Sequence, residues 1–463
     1  MKTFYFMLFS LFTASSVAEV SLPAVFSNNM VLQRNAEVKI WGWAKPGEEI
    51  KIRTSWGEEV LSTKADKNAV WEIIINTPDI RGPQKITITG YNEIQIDNVL
   101  LGEVWLVSGQ SNMEWTAAAG IDNAEAAIAG ADHPDIRFFQ VRLRTANDPQ
   151  QDLEGSWEPS TPQSMKYFSA VAYFFGEKLK QELDVPVGLI NSSWGGTPAE
   201  VWMPKDIFTK DEKLQEAASL LPNEQWGPNL PGMIYNAMIA PLIPYKLAGI
   251  LWYQGESNTG NADHYEHIFS SLIDSWRGKW NSELPFYYAQ IAPYDYGDNF
   301  SGVKVREAQR RVLKLPKTGM VMTSDIGNIE DIHPRNKKDV GLRFANLALK
   351  EVYGKETPAY FPLFERVEIK GNKLLVYFEN AEELILDKQN PVSQFEVAGK
   401  DGNFQPVGMK IKRNYVELDV KKIDLPAQIR YSWKNTATSN LFNEAGLPAS
   451  SFLEKIEPNS VKR

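Results

Sequence analysis

Five continuous apolar runs, each followed by a polar segment and a helical stretch, constrain this chain more than any other feature. They are VLLGEVWLVSG from Val99, VPVGLINSS from Val185, LAGILWYQG from Leu247, PFYYAQIAP from Pro285 and GMVMTSDIG from Gly319. Runs of this kind, without polar alternation, become strands buried on both faces. The stretches between them, such as YFSAVAYFFGEKLKQEL and DHYEHIFSSLIDSWRGKW, carry apolar residues at helical spacing, and NKKDVGLRFANLALKEVY follows the fifth run. Strand then helix, repeated five times, predicts an α/β unit with a parallel sheet covered on both faces. In such sheets ligands bind beyond the carboxyl ends of the strands. The segments GQSN, NSSWGGT, QGESN and DIHP all fall there.

On either side the pattern changes to short alternating runs separated by turn residues. VKIWGWA, EIKIRTSW, WEIIINTP and KITITGYN predict a small antiparallel β domain over residues 19–98. RVEIKGNKLLVYFEN, FEVAGKDGNFQPVGMKIKRNYVELDV and QIRYSWKN predict a second β domain over 357–463, which leaves 99–356 for the α/β domain. The first residues, MKTFYFMLFSLFTASSVAEV, place Lys2 before an apolar run that ends at small residues. That is the pattern of an export signal over residues 1–18, with the mature chain starting near Glu19 in the periplasm or outside the cell. The run is shorter than the roughly 20 residues a bilayer span needs, so no integral membrane segment is expected after removal of the signal. With no cysteine in the chain, disulfides, lipidation and thiol nucleophiles drop out. The formal net charge of −9 offers no bulk basic surface for nucleic acid. The 14 Trp and 17 Tyr suit both β-domain cores and stacking on the apolar faces of sugars. Oligomeric state is not legible.

The chemistry-bearing candidates lie in the polar segments. Ser111 follows VWLVSGQ, where a buried strand gives way to a loop, and Gly109 allows a tight turn there. Most serines are caps or surface hydroxyls, and the local sequence is what lifts this one. To attack a carbonyl, a serine hydroxyl needs a base within hydrogen-bond reach. Of four histidines, His133 reads as structural in a loop leading into a strand. His264 and His267 share a helix face, and with Asp263 they fall short of the ligands a zinc site requires. His333, in SDIGNIEDIHPRNKK just after the fifth run, is the candidate base. Asp331 and Glu330 lie close enough in sequence to orient its imidazole. A tetrahedral intermediate also needs donors aimed at its oxyanion. Backbone N–H groups around Gly195 and Gly196 could supply them, as could the side-chain amides of Gln254 and Asn258. Gln110, Asn112 and Glu256 are the polar neighbours expected to touch substrate.

These segments together carry a resemblance. From SLPAVFSNNMVLQRN through GQSNMEW, NSSWGGTPAEVW, LWYQGESN and DIHPRNK to SNLFNEAGLPASSF, the chain resembles the sialate O-acetylesterases of the SGNH hydrolase superfamily. The resemblance implies a flavodoxin-like three-layer SGNH domain flanked by β domains. It also implies hydrolysis of acetyl esters on sugars, with sialate preferred, without metal or cofactor. It makes Ser111 the nucleophile and His333 the general base, and places the glycine block on Gly195 or Gly196. In the third block Gln254 replaces the usual asparagine, which leaves Gln254 and Asn258 both open as donors. The usual acid position is Glu330. Asp331 is the favoured choice here, and a Ser–His pair oriented by backbone is the alternative. A sialic acid carries a carboxylate, which makes Arg306 and Arg343 candidates to bind it. The same blocks would serve an acetylxylan or other polysaccharide esterase, and a non-catalytic carbohydrate-binding protein would be expected to lack Ser111 or His333. No G-x-S-x-G is present, which argues against an α/β-hydrolase.

Overall fold

The computed structural model describes residues 19–222 and 227–457. The segment read as an export signal lies outside them. Six parallel strands form the central sheet: β1 (Glu93–Gly109), β2 (His133–Gln140), β3 (Val187–Ser193), β4 (Gly249–Tyr253), β5 (Phe286–Ala289) and β6 (Thr318–Val321). Their spatial order is β6-β5-β4-β1-β3-β2, with the strand Trp157–Ser160 antiparallel at the β2 edge. The apolar runs become β1, β3, β4, β5 and β6, and all seven residues of β3 and all five of β4 are buried. The sixth strand, β2, comes from ADHPDIRFF, where sequence alone placed His133 in a loop.

The sheet is mixed where a wholly parallel one was expected. One cause is the antiparallel edge strand. The other is the length of β1, whose 17 residues leave the central sheet and pair antiparallel with Gln84–Thr89 of the N-terminal strands. Glu49–Thr54 continues that layer, pairing with both Gln84–Thr89 and Leu61–Lys64. One apolar cluster accordingly runs without a break from Val20 to Phe361, and a second, from Val367 to Ile456, fills the C-terminal strands.

Helices cover both faces of the sheet. Trp105 on β1 meets Phe175 of α1 (Ala170–Leu183) at 5.1 Å between ring centres. On the opposite face, Trp252 of β4 meets Trp276 of α2 (Tyr265–Trp280) at 5.8 Å. Tyr288 of β5 donates to Gln309 of α3 (Ser301–Val312) on that same face. The last of the four, α4 (Lys337–Glu351), packs beside α1, where Gly341 admits the Val171 carbonyl closely. Among the described residues, no helix is long and apolar enough to cross a membrane.

The turn that leaves β1 depends on glycine. Gly109 has φ +137°, and a Cβ there would sit 2.2 Å from the Tyr253 carbonyl oxygen of the neighbouring strand. Gln110 N–H donates to that same oxygen at 2.9 Å, so the two strand ends are fixed together. Gly109→Ala is expected to lower stability by about 3 kcal/mol, since backbone rather than a flexible side chain blocks the methyl group. A urea midpoint equal to that of the unchanged chain would contradict this account.

Candidate active site

Ser111 opens the short helix Ser111–Glu114 at the carboxyl end of β1. His333 lies in the loop between β6 and α4, 222 residues further on. The fold brings them together: Ser111 Oγ and His333 Nε2 are 2.9 Å apart. Both side chains are part-exposed, so a ligand can reach them. Trp115, one turn past Ser111, stacks on the imidazole with ring centres 4.3 Å apart and planes 17° from parallel. Burial, and then the nearby Lys337, hold the His333 pKa below the ordinary imidazole value, while Asp331 pulls the other way. The imidazole is therefore neutral near pH 7, the form a base needs.

The expected acid is not in hydrogen-bond contact. Asp331 Oδ1 lies 3.9 Å from His333 Nδ1 and instead accepts the backbone N–H of His333 at 2.9 Å. Glu330 is exposed and makes no contact with the imidazole, its N–H donating to Asn328 Oδ1. Asp331→Asn is therefore expected to lower kcat by less than about tenfold, against the roughly ten-thousand-fold loss where a carboxylate accepts directly from the imidazole. A loss of the larger size would mean that the carboxylate closes on Nδ1 during turnover.

Of the four expected oxyanion donors, Gly195 lies against the serine. A Cβ built on Gly195 would stand 3.2 Å from the Cβ of Ser111, so this backbone backs directly onto the candidate nucleophile. Gly195 N–H donates to Glu114 Oε2 at 2.6 Å, a carboxylate whose pKa burial raises. The N–H groups of Ser111 and Gly196 have no partner among the described residues. Gln254 and Asn258 are different, and here the sequence-based expectation needs correcting. Gln254 Nε2 donates to Thr197 O and Asn258 Oδ1, and Asn258 Nδ2 donates to Glu200 Oε2 and Asn261 Oδ1. Both side chains are fully buried and neither has an N–H left to offer.

The polar neighbours also divide. Gln110 Oε1 accepts from Gly255 N and Ser257 N, which ties the β4 loop to the serine loop. Asn112 and Glu256 are buried together, with Asn112 Nδ2 donating to Glu256 Oε1 at 2.6 Å. They brace the site from behind, which corrects the expectation that all three touch substrate. Arg306 is likewise buried, its guanidinium donating to the carbonyls of Ala437, Lys434 and Asn435, and does not serve as a free cation. Arg343 forms a two-point pair with Asp325 at 2.7 and 2.6 Å. His267 pairs with Asp211, and His133 lies 3.4 Å from Glu177. Trp115, Glu114 and Lys337 were not singled out from the sequence, although GQSNMEW and DIHPRNK contain them.

Residues 101–350 match the family described as carbohydrate esterase, sialic acid-specific acetylesterase. Sialate O-acetylesterase of Homo sapiens is 30% identical over 406 residues, which is 79% of this chain and 77% of that protein. The chain belongs to the sialic acid-specific acetylesterase family. Its relative in Rattus norvegicus, also a sialate O-acetylesterase, is 29% identical over 432 residues, 78% of this chain and 79% of that one. Among solved structures, a carbohydrate acetylesterase from Xanthomonas citri superposes with a TM-score of 0.84 at 34% identity, covering 94% of this chain and 99% of that chain. Within the matched segment of this family member lie Ser111, Gly195 and His333 alike.

Proposed function

We propose that this chain is an exported serine O-acetylesterase of the SGNH type, with a flavodoxin-like catalytic domain, acting on acetylated sugars. The observation that carries the reading is the 2.9 Å approach of His333 Nε2 to Ser111 Oγ at the carboxyl ends of the sheet. In the proposed cycle Ser111 Oγ attacks the acetyl carbonyl as His333 Nε2 takes its proton. The tetrahedral oxyanion is taken by the backbone N–H groups of Ser111 and Gly196, which have no partner among the described residues. Gly195 N–H is committed to Glu114 Oε2, so in that turn Gly196 is the proposed donor. Collapse breaks the sugar–oxygen bond to the acetyl carbon, and His333 returns the proton to the departing hydroxyl. Water, activated by the same imidazole, then releases acetate and restores Ser111.

O-acetylated sialate is the first substrate reading, supported by the family and by its human and rat members. One observation favours a second, a neutral acetylated polysaccharide such as xylan. Arg306 and Arg343, the two candidates for a sialate carboxylate, are committed to carbonyls and to Asp325. A non-catalytic binding protein is the weakest reading, since Ser111 and His333 are both in place. The reading extends to an export signal over residues 1–18 and to a C-terminal β domain over 357–463, with the strands of 19–98 joined to the catalytic unit through β1 and no metal or cofactor taking part. The test is acetate release measured side by side on acetylated sialoglycan and acetylated xylan. Release from either supports an acetylesterase and chooses the sugar, and release from neither overturns the reading.

A further inference from the structure

With Asp331 turned onto its own loop, something else must hold His333 against Ser111. We infer that Lys337, Asn112 and Glu256 form a clamp of positioning residues that binds the His333 loop to the Ser111 loop and sets the charge facing the imidazole. The inference rests on the catalytic reading of Ser111 and His333.

Asn112 is the centre of the clamp. It follows Ser111 in the chain and is fully buried. Its Nδ2 donates to the carbonyl oxygen of Ile332 at 3.0 Å, the peptide that leads directly into His333. The same nitrogen donates to Glu256 Oε1 at 2.6 Å, and Oδ1 accepts from Lys337 Nζ at 2.6 Å. An amide can be turned end for end in a cavity of its own shape, and only its partners choose the direction. As an ammonium Lys337 has donors and no acceptor, so Oδ1 must face it and Nδ2 must face Glu256 and Ile332. Reversal would set an oxygen against two acceptors and an N–H against an ammonium. A lysine behind the site therefore decides whether the histidine loop is held.

The charge is placed with equal economy. Lys337 Nζ lies 5.8 Å from the centre of the Trp115 ring and 6.0 Å from that of Tyr253, and Trp115 is the ring stacked on His333. Two charged groups act on the imidazole, Lys337 from α4 and Asp331 from its own loop. Those that act on Lys337 are Glu256, from the loop after β4, and Asp331. Burial draws the Lys337 ammonium down to about 7, against the pull of those two carboxylates, and burial raises Glu256. A cation at this place disfavours a second positive charge on His333 and so keeps the base free at lower pH. Aromatic faces on two sides hold that cation without cancelling it.

The test compares the full chain with its K337M and K337Q variants. It measures kcat and KM for p-nitrophenyl acetate across pH, the thermal midpoint, and the titration of the His333 ring by NMR. K337M removes both the donor and the charge, whereas K337Q removes the charge and keeps a donor. The expected result is a fall in kcat of about a hundredfold for K337M with little change in KM, because a small misplacement of the base has that size of effect. K337Q should keep more of kcat. In both variants the acid limb of the profile and the His333 titration should move to higher pH. An unchanged kcat and titration would overturn the clamp. So would a lower thermal midpoint and kcat with the His333 titration unmoved, which is the mark of a merely structural lysine. If K337M does not fold, K337Q decides. The ring titration needs no turnover, so an inactive wild-type protein would sink the esterase reading while leaving the clamp to be judged by NMR.

Discussion

Ser111→Ala is expected to lower kcat for acetate release by about ten-thousand-fold or more, with the thermal midpoint close to that of the unchanged chain. The size follows from covalent catalysis, in which the nucleophile and its base work as a unit and loss of the nucleophile removes nearly everything they contribute. The small structural effect follows from the contacts of Oγ, whose one hydrogen bond in the described structure is to His333 Nε2. The backbone donors proposed at Ser111 and Gly196 would remain, so the residue of activity should still exceed the uncatalysed rate. Turnover of p-nitrophenyl acetate within tenfold of the unchanged chain would remove Ser111 from the chemistry.

His333→Ala is the second large effect, expected at about a thousandfold or more in kcat, and the S111A/H333A pair should be no slower than S111A alone. The two substitutions break the same step, so their free energies do not add. The pH dependence gives an independent check. Burial and Lys337 lower the His333 pKa, so the neutral imidazole persists below the ordinary imidazole value. Activity should hold as pH drops through that ordinary value and fall only when pH passes the lowered pKa. The residual activity of H333A should have no such acid limb. An acid limb above the ordinary imidazole value in the unchanged chain would contradict the environment described for His333.

The central sheet was largely legible because burial on both faces demands uninterrupted apolar runs, and the five strands that meet this demand announced themselves. Strand β2 was legible only in part: a loop leading into a strand was read there, but His133, Pro134 and Asp135, which begin the strand, read as that loop, and its pairing with Trp157–Ser160 is invisible locally. Ser111 and His333 were legible for a related reason: each follows a buried run, and strand ends of a parallel sheet converge. The oxyanion donors were harder. Gln254 and Asn258 carry the right group in the right segment, but which N–H is already taken depends on Thr197, Glu200 and Asn261, brought in by folding. Arg306 was misread for the same reason, its carbonyl partners lying about 130 residues away in sequence. Lys337 gave no sign at all. A lysine at the start of a helix usually faces water, and only the tertiary fold makes this one 1% exposed.

The 17-residue strand that ends at Gly109 bears on how this protein comes apart. Its first half is held by the N-terminal β layer and its second by the central sheet, and the same segment then delivers Ser111. Removing residues 19–98 would leave the serine on a strand cut off from its first six residues, with Val31–Gln33 gone from its flank. The amino-terminal layer is thus not a detachable appendage that can be trimmed to yield a minimal enzyme. Hydrogen exchange along this strand should slow together across both halves, as in one cooperative unit that opens or stays shut as a whole.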